Sequence, residues 1–169
     1  MALSQSSLAS GLTSLVPTVV EATAAAALAN AWNTYFSVAS VTGIPIAPAI
    51  LASATSAFQS ALTGMSVPGA GAAKIQAAVT AFWGSIVGAA AAAWIIAPSV
   101  VTLVTPPTTT SGIAAALAPV FAASSADPTK TIVQAASDIA AVLHTNGGVG
   151  GIATVQPPPI APPVPTPIL

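Results

Sequence analysis

The segment GAAKIQAAVTAFWGSIVGAAAAAWIIAPSVVTLV, residues 71–104, constrains this chain more than any other. After Lys74 it carries no charge, and alanine, valine, isoleucine and two tryptophans dominate it. Its first half is amphipathic. Ile75, Val79, Phe82, Trp83 and Ile86 recur on one side of a helix, while Lys74, Gln76, Thr80 and Ser85 fall mostly elsewhere. Its second half, Val87 to Ala97, is apolar all round, so a helix there must be covered by protein or by lipid. The spacing predicts a central helix over 72–97, kinked or stopped by Pro98. The SVVTLVT run that follows is β-prone and reads as a short strand or an extended, buried arm.

The rest of the composition narrows what such a helix can serve. Charged residues make up 3% of the chain, against roughly 25% in an ordinary domain. They are Glu21, Lys74, Asp127, Lys130 and Asp138; arginine and cysteine are absent, and His144 is the sole histidine. Two scattered lysines cannot displace the counterions of a nucleic acid, so nucleic-acid binding is not expected. One histidine and three scattered acids are too few for a zinc site, and no thiol chemistry is available. No cofactor, no small-molecule substrate and no enzymatic activity are expected, because no nucleophile–base pair or acid pair sits at a telling spacing. Disorder is also a poor reading, with 54% of residues hydrophobic. A chain this apolar with a formal net charge of −1 has little colloidal protection of its own. Its expected partners are therefore copies of itself and other structural subunits. Nothing in the opening MALSQSSLASGLTSL marks secretion or lipid anchoring.

The fold class expected is all-α or mainly α, a small helical bundle with extended loops. Helices are predicted over 5–15, 18–37, 49–63, 72–97, 112–123 and 128–145. Leu8, Leu12 and Leu15 give the first its stripe. Thr18 and Glu21 fit a capping box opening the second, with Val20, Ala24, Leu28, Trp32 and Tyr35 on its stripe. That position makes Glu21 a cap near a favourable helix dipole rather than a catalytic acid. Gly43, Pro45 and Pro48 break the chain, and Leu51, Ala54, Phe58, Leu62 and Met65 line the third helix, which Gly64 is placed to end. Ile113, Leu117, Val120 and Phe121 point inward from the fifth, with Pro119 against its regularity. Asp127 as cap and Pro128 in the first turn open the sixth, and Ile132, Ala136, Ile139 and Leu143 form its stripe. His144 falls in its last turn, where a partly protonated ring would meet the negative end of the dipole; a structural role is expected there.

Residues 1–155 are read as one helical domain, with GIATV at 151–155 as a short extended segment, and 156–169 as a proline-rich arm. The tail QPPPIAPPVPTPIL favours polyproline II, which can dock in a neighbour's groove at little entropic cost. Ile160, Val164, Ile168 and Leu169 favour docking over a solvated tail.

A membrane span is the competing reading of the central segment. Its length suffices, and Gly84 and Gly88 form a GxxxG pair that lets helices approach closely. Against it, Pro98 interrupts the run, and no Lys or Arg follows closely enough to set a topology. Trp83 and Trp94 would stand roughly 16 Å apart along a helix, about half the separation of two membrane interfaces. A helix buried in an assembly is preferred. The candidate interaction residues are Trp83, Gly84, Gly88 and Trp94 on the central helix, and Pro157, Pro162, Ile168 and Leu169 on the arm.

The near absence of charge, the weakly polar helices, the helix start GAAKIQAAVTAFWG, the GGIATV segment and the tail ending PTPIL occur together. In this combination the chain resembles the small, alanine-rich structural proteins of tailed-phage virions. The resemblance implies a non-enzymatic virion component, of tail or baseplate rather than capsid shell, since capsid decoration proteins are richer in β-structure and charge. The apolar central helix departs from most such subunits and keeps an integral or membrane-inserting helical protein as the alternative.

Overall fold

The computed structural model describes residues 3–13, 20–41, 43–93, 95–96, 99–127, 129–156 and 163–168. The fold is mainly α: six helices among these residues, with strands at two places. The helices are α1 (Gln5–Thr13), α2 (Glu21–Phe36), α3 (Pro48–Ala61), α4 (Gly71–Ala93), α5 (Ile113–Ala126) and α6 (Ile132–Leu143). Each packs on the next in sequence, and α6 returns to pack on α1, so the bundle closes into a ring. Between α2 and α3 the chain makes a small hairpin, β1 (Ser40–Val41) with β2 (Ile44–Pro45), turning through Gly43 at φ 83°.

The second sheet is an antiparallel meander in the order β3 (Ile95–Ile96), β4 (Ser99–Thr105), β5 (Ile152–Gln156) and β6 (Val164–Pro167). It lies against α4 through β4, with Val101, Val104 and Ala153 buried. This sheet corrects the reading of the central helix, which ends at Ala93 rather than at 97. Ile95 and Ile96 pair instead with Val100 and Ser99. Proline at 98 cannot continue a helix and disfavours helical backbone in the residue before it. The β-branched residues on either side then gain more from a ladder than from a frayed last turn. The SVVTLVT run is a strand, as one of its two readings had it, and GIATV supplies its partner.

The core explains why helices so poor in ion pairs hold together. Trp32, Tyr35 and Phe36 of α2 meet Phe58 of α3 and Phe82 and Trp83 of α4, all fully buried. Phe36 and Phe82 lie 4.7 Å apart by ring centroids, and Trp32 stacks on Phe58 at 5.5 Å. Burying each such ring contributes roughly 1.5–3 kcal/mol, far more than the tenths that separate helix propensities of serine, threonine and alanine. Packing therefore decides these helices. The stripes expected on α3 and α4 are the buried ones, though Met65 is only partly covered. Val20 and Ile132 are not on the buried stripes: they are 58% and 49% exposed, and Ala25, Ala29 and Phe36 take up the α2 side instead.

The helix starts differ from expectation at two places. α2 begins at Glu21 with Val20 as its cap and no side-chain cap bond, and Thr18 lies outside the described residues. α6 begins at Ile132, capped by Thr131, not at 128. Thr131 accepts from the Gln134 amide at 3.2 Å, and Gln134 Oε1 accepts from the Thr131 amide at 2.8 Å. Asp127 ends α5 and turns the chain by accepting from the Thr129 amide at 2.9 Å and its hydroxyl at 2.6 Å. Pro128 lies outside the described residues.

Candidate interaction surfaces

The residues of α4 divide cleanly between two sides. Ile75, Val79, Phe82, Trp83 and Ile86 are buried, whereas Ala73, Ala77, Thr80, Gly84, Val87 and Gly88 are exposed. At 3.6 residues per turn the exposed set falls on a single stripe. A methyl group built on Gly84 or Gly88 would meet nothing within 4 Å. The Thr80 hydroxyl is spent on the Gln76 carbonyl at 3.0 Å. The stripe is thus small, apolar and free of unmet polar groups, the surface another helix can approach most closely. The GxxxG pair was visible in the sequence; its extension through Ala73, Ala77 and Thr80 was readable only once the buried side was known.

Trp83 belongs to the opposite side. It is 1% exposed and its indole N–H donates to the Gly147 carbonyl at 2.8 Å. The backbone it holds is a single wide helical turn, His144–Gly148, that ends α6. A methyl group at Gly148 would overlap the Tyr35 hydroxyl, and one at Gly151 would stand 2.6 Å from the Trp83 ring. Glycine at these positions lets the chain pass directly over the aromatic core.

His144 opens this turn, and its Nδ1 lies 2.7 Å from the Tyr35 hydroxyl. Burial lowers the histidine pKa and pushes the tyrosine pKa well up, so the pair is neutral on both sides. This corrects the expectation of a partly protonated ring serving the helix dipole: its tie is to the phenol of Tyr35. A neutral histidine beside a phenol is a pairing that also serves proton relays. Tyr35, however, is only 1% exposed, so its hydroxyl is shielded from anything outside the core.

The charges are spent locally. Glu21 accepts from the Gly64 amide at 2.5 Å, and from the amide and hydroxyl of Ser66, which fastens the α3–α4 loop to the start of α2. These bonds, Ser66 foremost, lower its pKa, with Lys74 adding attraction. Lys130 pairs with Asp138 at 2.6 Å. The Thr129 bonds hold the Asp127 carboxyl below its ordinary value. Among the described residues no three acids or histidines stand close enough together to hold a metal ion.

Two further surfaces complete the candidates. An apolar hollow of about 280 Å³ opens between α1, α2, α4, α5 and α6, lined by Leu12, Leu28, Ile75, Phe121 and Ile139 and rimmed by Ile132. On the arm, Ile168 is 3% exposed and its amide donates to the Gly151 carbonyl at 2.9 Å. The described part of the arm is therefore a strand of this chain's own sheet. Trp94, Pro157, Pro162 and Leu169 lie outside the described residues. The structure accordingly separates the expected interaction residues: Gly84 and Gly88 face outward, Trp83 is in the core, and Ile168 anchors β6. No protein-family model, curated protein or solved structure matches the chain.

Proposed function

We propose that this chain is a non-enzymatic structural subunit of a multi-protein particle, a tailed-phage virion component of tail or baseplate that packs through its helices. The observation that carries the assembly reading is the outer stripe of α4. It is small and apolar, no other described element covers it, and Glu21, Lys130 and Asp138 are engaged elsewhere. Val87 on this stripe, and Val67, Val133 and Ile152 beyond it, add exposed apolar surface of the kind that is normally covered in an assembly. The virion context rests on the compositional resemblance. The alternative is a membrane-inserting helical protein; among the described residues no helix is long and apolar enough to cross a membrane.

Gly84→Lys tests the reading. The site is open in the single chain, and replacing glycine within a helix removes a cost of roughly 0.5–1 kcal/mol. The variant is expected to fold with an unchanged or higher melting temperature. In a close-packed helix contact the same side chain overfills the interface at about 1–3 kcal/mol per contact, repeated in every copy. Sedimentation should then show large particles for the parent chain and small species for the variant. Particles of unchanged mass in the variant would remove α4 as the interface. A parent chain that stays with membranes through a carbonate wash would favour the alternative.

A further inference from the structure

The described strands of this chain carry no charge. SVVTLVT in β4 and IATVQ in β5 are rich in β-branched residues, and uncharged segments of high β-propensity pair readily with further copies of themselves. Sheets keep such edges apart with lysine, with a very short edge strand or with proline. Lysine is not used here, since Lys74 lies in α4 and Lys130 between α5 and α6. At one end of the second sheet the edge strand, β3, has only two residues. At the other end, β6 uses proline.

The register of β6 against β5 pairs Ile152 with Pro167, Ala153 with Thr166, Thr154 with Pro165 and Val155 with Val164. One step further, the Ile168 amide donates to the Gly151 carbonyl at 2.9 Å. Hydrogen-bonded and non-bonded pairs alternate along an antiparallel ladder, so Val164, Thr166 and Ile168 turn their backbone groups toward β5. Pro165 and Pro167 take the positions between, where nitrogen and carbonyl face the free edge. Pro163, immediately before the strand, keeps the same two-residue spacing. The prolines therefore cost β6 no bond to β5. Any other residue at 165 or 167 would offer an N–H to a further strand. With proline there the edge presents carbonyls alone, and a ladder cannot be completed on it. These alternate prolines, which composition alone assigns to a polyproline arm, have the period of a strand.

We infer that β6 is a blocking strand: it covers the edge of β5 and, with its prolines turned outward, closes that end of the sheet to strands from other copies. A chain with so few charges needs such a device, because repulsion cannot keep its strands apart. The inference goes beyond the assembly reading above. It concerns an edge that the particle does not use, and it holds whatever partner α4 meets.

The test restores the missing donors in the full chain. Pro165→Thr together with Pro167→Thr adds two outward N–H groups while keeping a β-prone residue at each place. Both are made in the Gly84→Lys background, so that association through α4 and through the sheet edge are read apart. The background chain is expected to bind no thioflavin T and to show no intermolecular β band in the infrared. The two threonines are expected to bring both signals, in species whose mass grows with protein concentration. Val164→Thr in the same background adds the same side chain without an outward donor, because its N–H faces β5, and should behave as the background does. A double-threonine variant that keeps the melting transition of its background, stays the same size and shows neither signal would overturn the blocking role. So would equal association by Val164→Thr. If the double variant loses that transition, Pro165→Thr alone, which adds one donor, is decided by the same two signals. Particles of unchanged mass in the Gly84→Lys background would count against the α4 contact only, since the two spectroscopic signals report strand pairing whatever the particle size.

Discussion

At His144 the chain ends a helix and meets Tyr35 in the same step, and the protonation of that ring is tied to folding. Its ordinary pKa is 6.5, and burial lowers it in the folded protein. As pH falls, the unfolded chain therefore takes up this proton first, and stability falls with it. The contribution is complete above pH 6.5 and is lost progressively below that value, until the folded pKa is passed. Melting temperature should drop over this window in the parent chain and stay flatter in His144→Gln, whose side chain can still accept from the phenol. A parent curve as flat as the variant's would show that the ring is not desolvated on folding. Glu21 and Asp127 act at lower pH, since both carboxyls are held below their ordinary values of 4.5 and 3.8 and lose that stabilisation as they are protonated. The sequence revealed Glu21 as an acid at a helix start. It could not reveal that its partners were Gly64 and Ser66, because no local spacing encodes a contact between a helix and a distant loop.

The start of α6 shows how two valid local signals compete. Asp127-Pro128 is a strong opening pair, and Thr131 with Gln134 is a capping box three residues apart. The second opens the helix because the Asp127 carboxylate is already committed to Thr129, and its own amide still closes the last turn of α5 on Ala123. Thr131→Ala should cost about 1 kcal/mol, the usual loss for a threonine cap, while Asp127→Ala should cost less, because it unties only an exposed turn. Denaturant unfolding of the two variants measures the difference; an equal or larger loss at Asp127 would place the true cap there. The end of α4 follows the same logic with the opposite outcome for sequence reading. An alanine-rich run carries no stop signal before Pro98, and where the helix ends short of that proline is set by β4, with which Ile95 and Ile96 pair. The interior stripes of α3 and α4 were legible because their periodicity is set by one face, whereas ends are set by what the next segment finds to do.

At the scale of the whole molecule, the closed order of helices was the feature least accessible from sequence. Apolar stripes say which side of each helix is buried, not which helix buries it, and nothing in Leu8 or Leu12 identifies α6 as their partner. Yet α1 depends on that closure. It has nine residues, below the roughly 12–15 at which isolated helices become even marginal, so packing must hold it in place. Leu8 is fully buried and Leu12 nearly so, Gly11 brings the helix close enough that a methyl group there would stand 3.0 Å from the Ala31 side chain, and α6 covers the other flank. Leu8→Ala should therefore cost about 2–5 kcal/mol, as deletion of a fully buried leucine does. The loss should not be confined to α1. If the ring is one cooperative unit, amide exchange in α6, around Ala136 and Ala140, accelerates along with that in α1, and the single melting transition shifts down as a whole. If α1 is only a flap laid over a self-sufficient bundle, α6 keeps its protection and the melting temperature barely moves. The burial of Ala136 and Ala140, at 4% and 0% exposure, favours the first outcome: small residues on α6 are covered only while a neighbouring helix stays close against them.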